Sequence, residues 1–161
     1  NKMKTNSLEL PIKESEELVN ELNCLLSNFQ IYYQNLRGLH WNIRGKRFFD
    51  LHLKFEELYN DSQIKIDLIA ERVLTLGGTP LHTFADYIEN SKLQIGKSIS
   101  KDVEAIQLIL ESLSVLLQVE RVILAKAAEI NDEGTNSMMS DFIAEQEKTN
   151  WMLKAWMEEE I

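Results

Sequence analysis

HWNIRGKRFFDLHLKFEELYNDSQIKIDLIAER, residues 40–72, holds two of the chain's three histidines and a row of carboxylates inside what otherwise reads as amphipathic helix. From Phe48 the helical pattern runs to Leu76 and stops at Gly77-Gly78-Thr79-Pro80, because paired glycines followed by proline cannot continue a helix. At about 100° per residue, His52, Glu56, Asp67 and Glu71 fall near roughly 0°, 40°, 60° and 100° on the helical wheel, so they share one face. Each pair is spaced i, i+4 and can act together locally. The two pairs are nevertheless about 22 Å apart along the helix, too far for one metal centre to use both from the same chain.

Two readings of this face stand side by side. In one, it is a solvated charged face on which histidine and glutamate share a turn by chance. In the other, the helix packs antiparallel on its own copy across a two-fold axis near residues 61 and 62, and His52 and Glu56 of one chain meet Asp67 and Glu71 of the other. His40 lies near the end of the preceding helix, one tight turn away, within reach of the His52 end. Two imidazoles and three carboxylates make a nitrogen and oxygen set suited to iron, manganese or zinc and unsuited to soft metals.

Outward from this stretch the chain remains helical. Before it, Leu18, Leu22, Leu25, Leu26, Phe29, Tyr32 and Tyr33 recur at helical spacing from Pro11 up to a break at Gly45. After it, LHTFADYIENS (residues 81–91) is a short helical candidate within a longer connection. A third long pattern runs from about Ser98 to Ile130, with Val103, Ile106, Leu110, Leu113, Leu117 and Leu124 as its stripe. Beyond NDEGTNS a fourth runs to the C-terminus through Met138, Met139, Phe142, Trp151 and Trp156. Alternating β-branched runs are absent, and both prolines fall outside the long helices. The pattern predicts an all-α four-helix bundle with a short extra helix in the long crossover between helices 2 and 3. It predicts one domain over residues 1–161, with residues 1–12 as a flexible N-terminal tail.

Composition narrows the function. With 17 Lys and Arg against 26 Asp and Glu, the formal net charge is -9, which disfavours a large phosphate-binding face. The tail NKMKTNSLELPIKESEE dilutes three lysines with four glutamates, so DNA binding is expected to be weak or absent. The single cysteine, Cys24, excludes an internal disulfide and fits a reducing compartment. No apolar run approaches a membrane span and no leader is evident, so a cytoplasmic protein is expected. His82, in the connection, reads as a surface or packing residue, and the methionines read as core filler.

The motifs carry a resemblance. LHWNIRGKRFFDLHLKFEELYND, continued by DLIAERVLTLGGTP, resembles the Dps proteins, the miniferritins named as DNA-binding proteins from starved cells. The likeness extends from about residue 15 to NWMLKAWM, and its elements are His-Trp, a second histidine twelve residues on, an acid four later, and Asp-x-x-x-Glu eleven beyond that acid. It implies a ferritin-like bundle assembled into a hollow dodecamer. It further implies ferroxidase centres shared between subunits, formed by His40, His52, Glu56, Asp67 and Glu71. The implied activity is oxidation of Fe(II), preferably by hydrogen peroxide, with storage of ferric oxide and protection against oxidative damage; zinc or manganese can substitute for iron. Glu56 departs from the family, where aspartate is usual.

The resemblance also implicates Trp41 and Trp151 as aromatic electron donors beside the site, although tryptophans at helical spacing are commonly core anchors. An acidic iron-entry pore would draw on Asp132, Glu133 and Asp141, with Ser137 at another position that is commonly acidic; acids at a helix start are in any case favoured by the helix dipole. Larger ferritins build an intrachain centre with Glu-x-x-His pairs. No glutamate stands three residues before any histidine here. The alternatives to the ferroxidase are a DNA-compacting shell and a metal-loaded shell without turnover.

Overall fold

The computed structural model of the chain describes residues 4–158 and contains five helices. Helix α1 spans Ile12–Asn42, α2 Phe48–Thr75, α3 Phe84–Asn90, α4 Asp102–Glu129 and α5 Glu133–Met157. Short turns join α1 to α2 and α4 to α5, giving two antiparallel helical pairs, and α1 also packs on α4. The α1–α2 turn is made by Gly45 at φ 118°, a conformation that disfavours any side chain. This is the expected four-helix bundle with its extra helix, α3, lying against α1.

The core is the inward stripe of each long helix. Leu22, Phe29 and Leu36 of α1, Phe55 and Ile69 of α2, Leu113 and Ile123 of α4, and Met139 of α5 are all fully or almost fully buried. Each such large side chain contributes about 1.5–3 kcal/mol relative to exposure. Phe29 meets Phe142 edge to face, with ring centroids 6.0 Å apart.

Two boundaries differ from expectation. Helix α4 begins at Asp102 rather than near Ser98, because Ser98 adopts φ 58° and Lys101 is extended, so the helical hydrogen bonds start later. Residues 4–11, expected as part of a free tail, form a turn. Thr5 bridges to Pro11, and the Asn6 side chain accepts hydrogen bonds from the Leu8 and Leu10 amides. Residues 1–3 of that tail, and the last three residues of the expected fourth pattern, lie outside the described residues.

The long crossover is fastened by asparagines on α1. Asn23 accepts from the Leu81 amide and donates to the Thr79 carbonyl, Asn28 accepts from the Lys92 amide, and Asn35 accepts from the Gly96 amide and donates to the Gln94 carbonyl. These bonds satisfy backbone groups that the crossover cannot pair within itself. They hold it along α1, which leaves one face of α2 uncovered.

Candidate metal centre

His40 stands in the last turn of α1 and His52 in the second turn of α2, and the short turn between the helices brings them face to face. The rings stack with centroids 3.8 Å apart and an interplanar angle of 11°. Each is tied to the other's backbone: His40 Nδ1 donates to the His52 carbonyl at 2.6 Å, and His52 Nδ1 donates to the His40 carbonyl at 2.7 Å. A carbonyl can only accept, so Nδ1 carries the proton on both rings. In the neutral form each Nε2 is then left with a lone pair, the arrangement by which a backbone carbonyl fixes the tautomer of a metal-binding histidine. Phe48 stacks on His52 at 4.9 Å, and Tyr59 sets its ring edge-on to His40 at 5.4 Å. The helical signal for both was present, since they flank His52 by one and two turns of α2.

Glu56 follows His52 by one turn and is half-buried, while Asp67 and Glu71 are exposed further along α2. None of the three takes part in an ion pair among the described residues. The chain does not bring Asp67 and Glu71 to the histidines, and no three acidic, histidine or cysteine side chains gather as a metal site among the described residues. The face that carries the acids is not simply polar. Phe49, Leu53, Ile64 and Leu68 project from it at 82%, 56%, 62% and 42% exposure. A row of large apolar side chains interleaved with acids is unusual for a solvated surface and typical of one that is covered by a partner.

The remaining candidates separate. Trp41 adjoins His40 and is exposed, with the Arg37 guanidinium 4.8 Å above its ring. Trp151 is exposed on α5. His82 is exposed, its Nδ1 bonded to the Pro80 carbonyl. Asp132 is not available as a free pore acid. It is buried as the N-cap of α5, accepting from the Thr135 amide, the Thr135 hydroxyl and, at 2.6 Å, Arg72. A cap and an ion pair consume both of its oxygens, whereas Glu133 and Asp141 are exposed. Gly134 lets the Arg72 guanidinium lie close: a Cβ there would come within 2.7 Å of it.

A four-helix bundle of this order, with a short helix in its long crossover, is that of the ferritin-like class, and residues 19–160 match the family of that name, described as a ferritin-like domain. The chain belongs to the Dps family within that class. It is 40% identical over 139 residues to the DNA protection during starvation protein of Porphyromonas gingivalis, covering 86% of this chain and 87% of that one. It is 34% identical over 143 residues to general stress protein 20U of Bacillus subtilis, covering 89% and 99%. The crystal structure of the Vibrio cholerae Dps protein, described as a member of a broad superfamily of ferritin-like diiron-carboxylate proteins, matches with a TM-score of 0.95 at 47% identity, covering 98% of this chain and 99% of that one. Iron-related chemistry and stress protection are therefore the family's setting for this chain. Among the described residues no helix is long and apolar enough to cross a membrane.

Proposed function

We propose that the protein is a cytoplasmic ferroxidase and iron store whose catalytic sites are completed across a two-fold axis. The observation that carries this reading is the reciprocal His40–His52 clasp. It fixes two imidazoles with Nε2 free at one end of an exposed α2 face whose other ligand pair, Asp67 and Glu71, lies about 22 Å away. Antiparallel pairing of two copies through Phe49, Leu53, Ile64 and Leu68 brings the partner's Asp67 and Glu71 to His40, His52 and Glu56. The pairing buries the apolar row and generates two equivalent sites. Twelve subunits would enclose the ferric oxide.

Fe(II) is the substrate. Two Fe(II) ions each give up one electron, the O–O bond of hydrogen peroxide is cleaved by that pair of electrons, and two hydroxides and two Fe(III) result, with no hydroxyl radical released. The chain's part is to hold two irons close together with nitrogen and oxygen ligands while leaving positions open for the oxidant. Glu56, longer by a methylene than the family's usual aspartate, would shift the second iron or change its affinity. Zinc or manganese suits the same ligands, though zinc has no electron to give. Trp41 adjoins the site and Trp151 is exposed, as electron donors to stray one-electron oxidants would need to be, and Glu133 and Asp141 are the acids left to line an iron-entry pore. Direct DNA binding is disfavoured by the net charge of -9.

Anaerobic loading with Fe(II), then addition of hydrogen peroxide, should give an immediate rise in ferric absorbance. No peroxide-dependent rise would leave a metal-binding shell without turnover.

A further inference from the structure

The contact between α4 and α5 holds a buried polar pair that the interface chemistry does not use. Glu120 stands on the inward stripe of α4 with Leu113, Leu116 and Ile123, and Gln146 on that of α5 with Met139, Phe142 and Ile143. Their exposures are 0% and 6%, so water does not reach them. The Gln146 Nε2 donates to Glu120 Oε2 at 2.7 Å. The other end of each group, Glu120 Oε1 and Gln146 Oε1, is buried with no hydrogen-bond partner among the described residues.

Two acceptors cannot bond to each other, and each of these has lost its water without replacement. Turning the amide over does not help, because an ionised carboxylate only accepts: it can serve the N–H end of an amide and never the oxygen. The neighbouring charges are committed elsewhere. Lys65 of α2 is paired with Asp61 and Glu145, and Arg121 of α4 with Glu147. Tyr32 of α1 is held neutral, its hydroxyl pushed up by burial and then by Asp61 and Glu120. A proton on Glu120 Oε1 satisfies both orphans at once. The new O–H donates to Gln146 Oε1 while Gln146 Nε2 goes on donating to Oε2, and acid and amide close a hydrogen-bonded ring. Burial pushes the carboxyl up to about 8, against the Gln146 bond and the Lys65 and Arg121 charges, which favours the same protonated form.

We propose that Glu120 and Gln146 form a proton-binding site that clasps α4 to α5. With the proton in place both groups are satisfied, and the helices are joined by neutral bonds inside an apolar interior. Without it a carboxylate is left in the bundle beside an amide oxygen that it cannot serve, and the α4–α5 contact loosens. The clasp is closed at neutral pH and below and opens as pH passes about 8. An ionised Glu120 kept only for its bond to Gln146 has a different consequence, since it carries no proton at neutral pH and its contact does not change across this range.

The test is infrared spectroscopy of the assembled protein, in which a carboxylic acid shows a carbonyl stretch that a carboxylate lacks. At about pH 6.5, where ordinary carboxyls are ionised, wild type should show a band equal to about one acid per chain. It should fade with a midpoint of about 8. Glu120→Gln, which copies the neutral acid, should lack the band, and above about pH 8 hydrogen exchange in α4 and α5 should be faster in wild type than in this variant. Gln146→Leu should move the band to higher frequency, because the acid carbonyl loses its N–H donor. No acid band in wild type, a band that survives Glu120→Gln or stays in place in Gln146→Leu, or equal exchange in the two proteins would overturn the inference. If neither variant folds, the wild-type titration decides: a band fading at about 8 supports the site, and no band refutes it. None of these measurements uses metal, so the outcome does not depend on the ferroxidase reading.

Discussion

Along the outer face of α2, Glu56, Asp67 and Glu71 stand without an ion pair among the described residues, while further round the helix the buried Lys65 reaches the exposed carboxylates of Asp61 and Glu145. The Lys65 set carries its own cation. Its charge is balanced within the chain, so the lysine can be buried while its two carboxylates stay at the surface. The outer set makes no ion pair among the described residues, lies among exposed apolar side chains, and begins at two histidines whose Nδ1 protons are already committed. The difference separates charge that serves the fold from charge that awaits a ligand: the first is paired within the chain around a buried lysine, the second makes no ion pair among the described residues.

The contrast breaks most severely at the histidines. His40→Ala/His52→Ala should lower the peroxide-dependent ferroxidase rate by about 100-fold, since both nitrogen ligands are lost, while circular dichroism and assembly size stay those of the wild type. A rate within a factor of about three would mean that the clasp is structural only.

Next in size is Asp132, which belongs with the paired charges despite its place beside the expected pore. Asp132→Ala leaves Arg72 without its carboxylate and α5 without its cap, and should cost about 3 kcal/mol in denaturant unfolding at fixed protein concentration. A loss below about 0.5 kcal/mol, accompanied by slower iron uptake, would return Asp132 to the pore.

The smallest effect sharpens the buried side of the contrast. Glu120 has its carboxyl raised from an ordinary value of 4.5 to about 8 in the folded protein. The folded state therefore holds a proton that the unfolded state has released. The stability contribution is full below about 4.5 and is lost progressively as pH rises toward about 8. Glu120→Gln cannot ionise, so the stability of wild type relative to this variant should fall by more than about 1 kcal/mol between roughly pH 6 and pH 8. Parallel pH profiles would show that Glu120 titrates as it would in water.

Much of this was legible in the sequence, and what was not has physical reasons. The four long helices followed from apolar periodicity, and the separation of the two ligand pairs followed from helical rise alone. The histidine clasp did not, because it uses side-chain bonds to backbone carbonyls across a turn, and no residue pattern encodes those. Lys65 and Glu120 are residue types that usually stay at the surface. Their positions said otherwise: Ser62, Lys65, Ile69 and Val73 continue the buried stripe of α2, as Leu113, Leu116, Glu120 and Ile123 do that of α4. Asp132 stands among the acids expected at a pore, yet Asp-x-x-Thr before a helical run is an N-cap signature. The crossover's attachment through Asn23, Asn28 and Asn35 left no periodic trace, since asparagine in a helix usually meets solvent.

The shared site is tested most directly by mixing subunits. His40→Ala/His52→Ala chains and Asp67→Ala/Glu71→Ala chains should each assemble into inactive protein, because every site is damaged. When equal amounts are dissociated and reassembled at random, half of the two-fold pairs are mixed. In each mixed pair all the substitutions gather in one site and the other is complete. About a quarter of the wild-type ferroxidase rate should be recovered. No recovery, with native mass spectrometry confirming mixed assemblies, would contradict a site built across the two-fold axis.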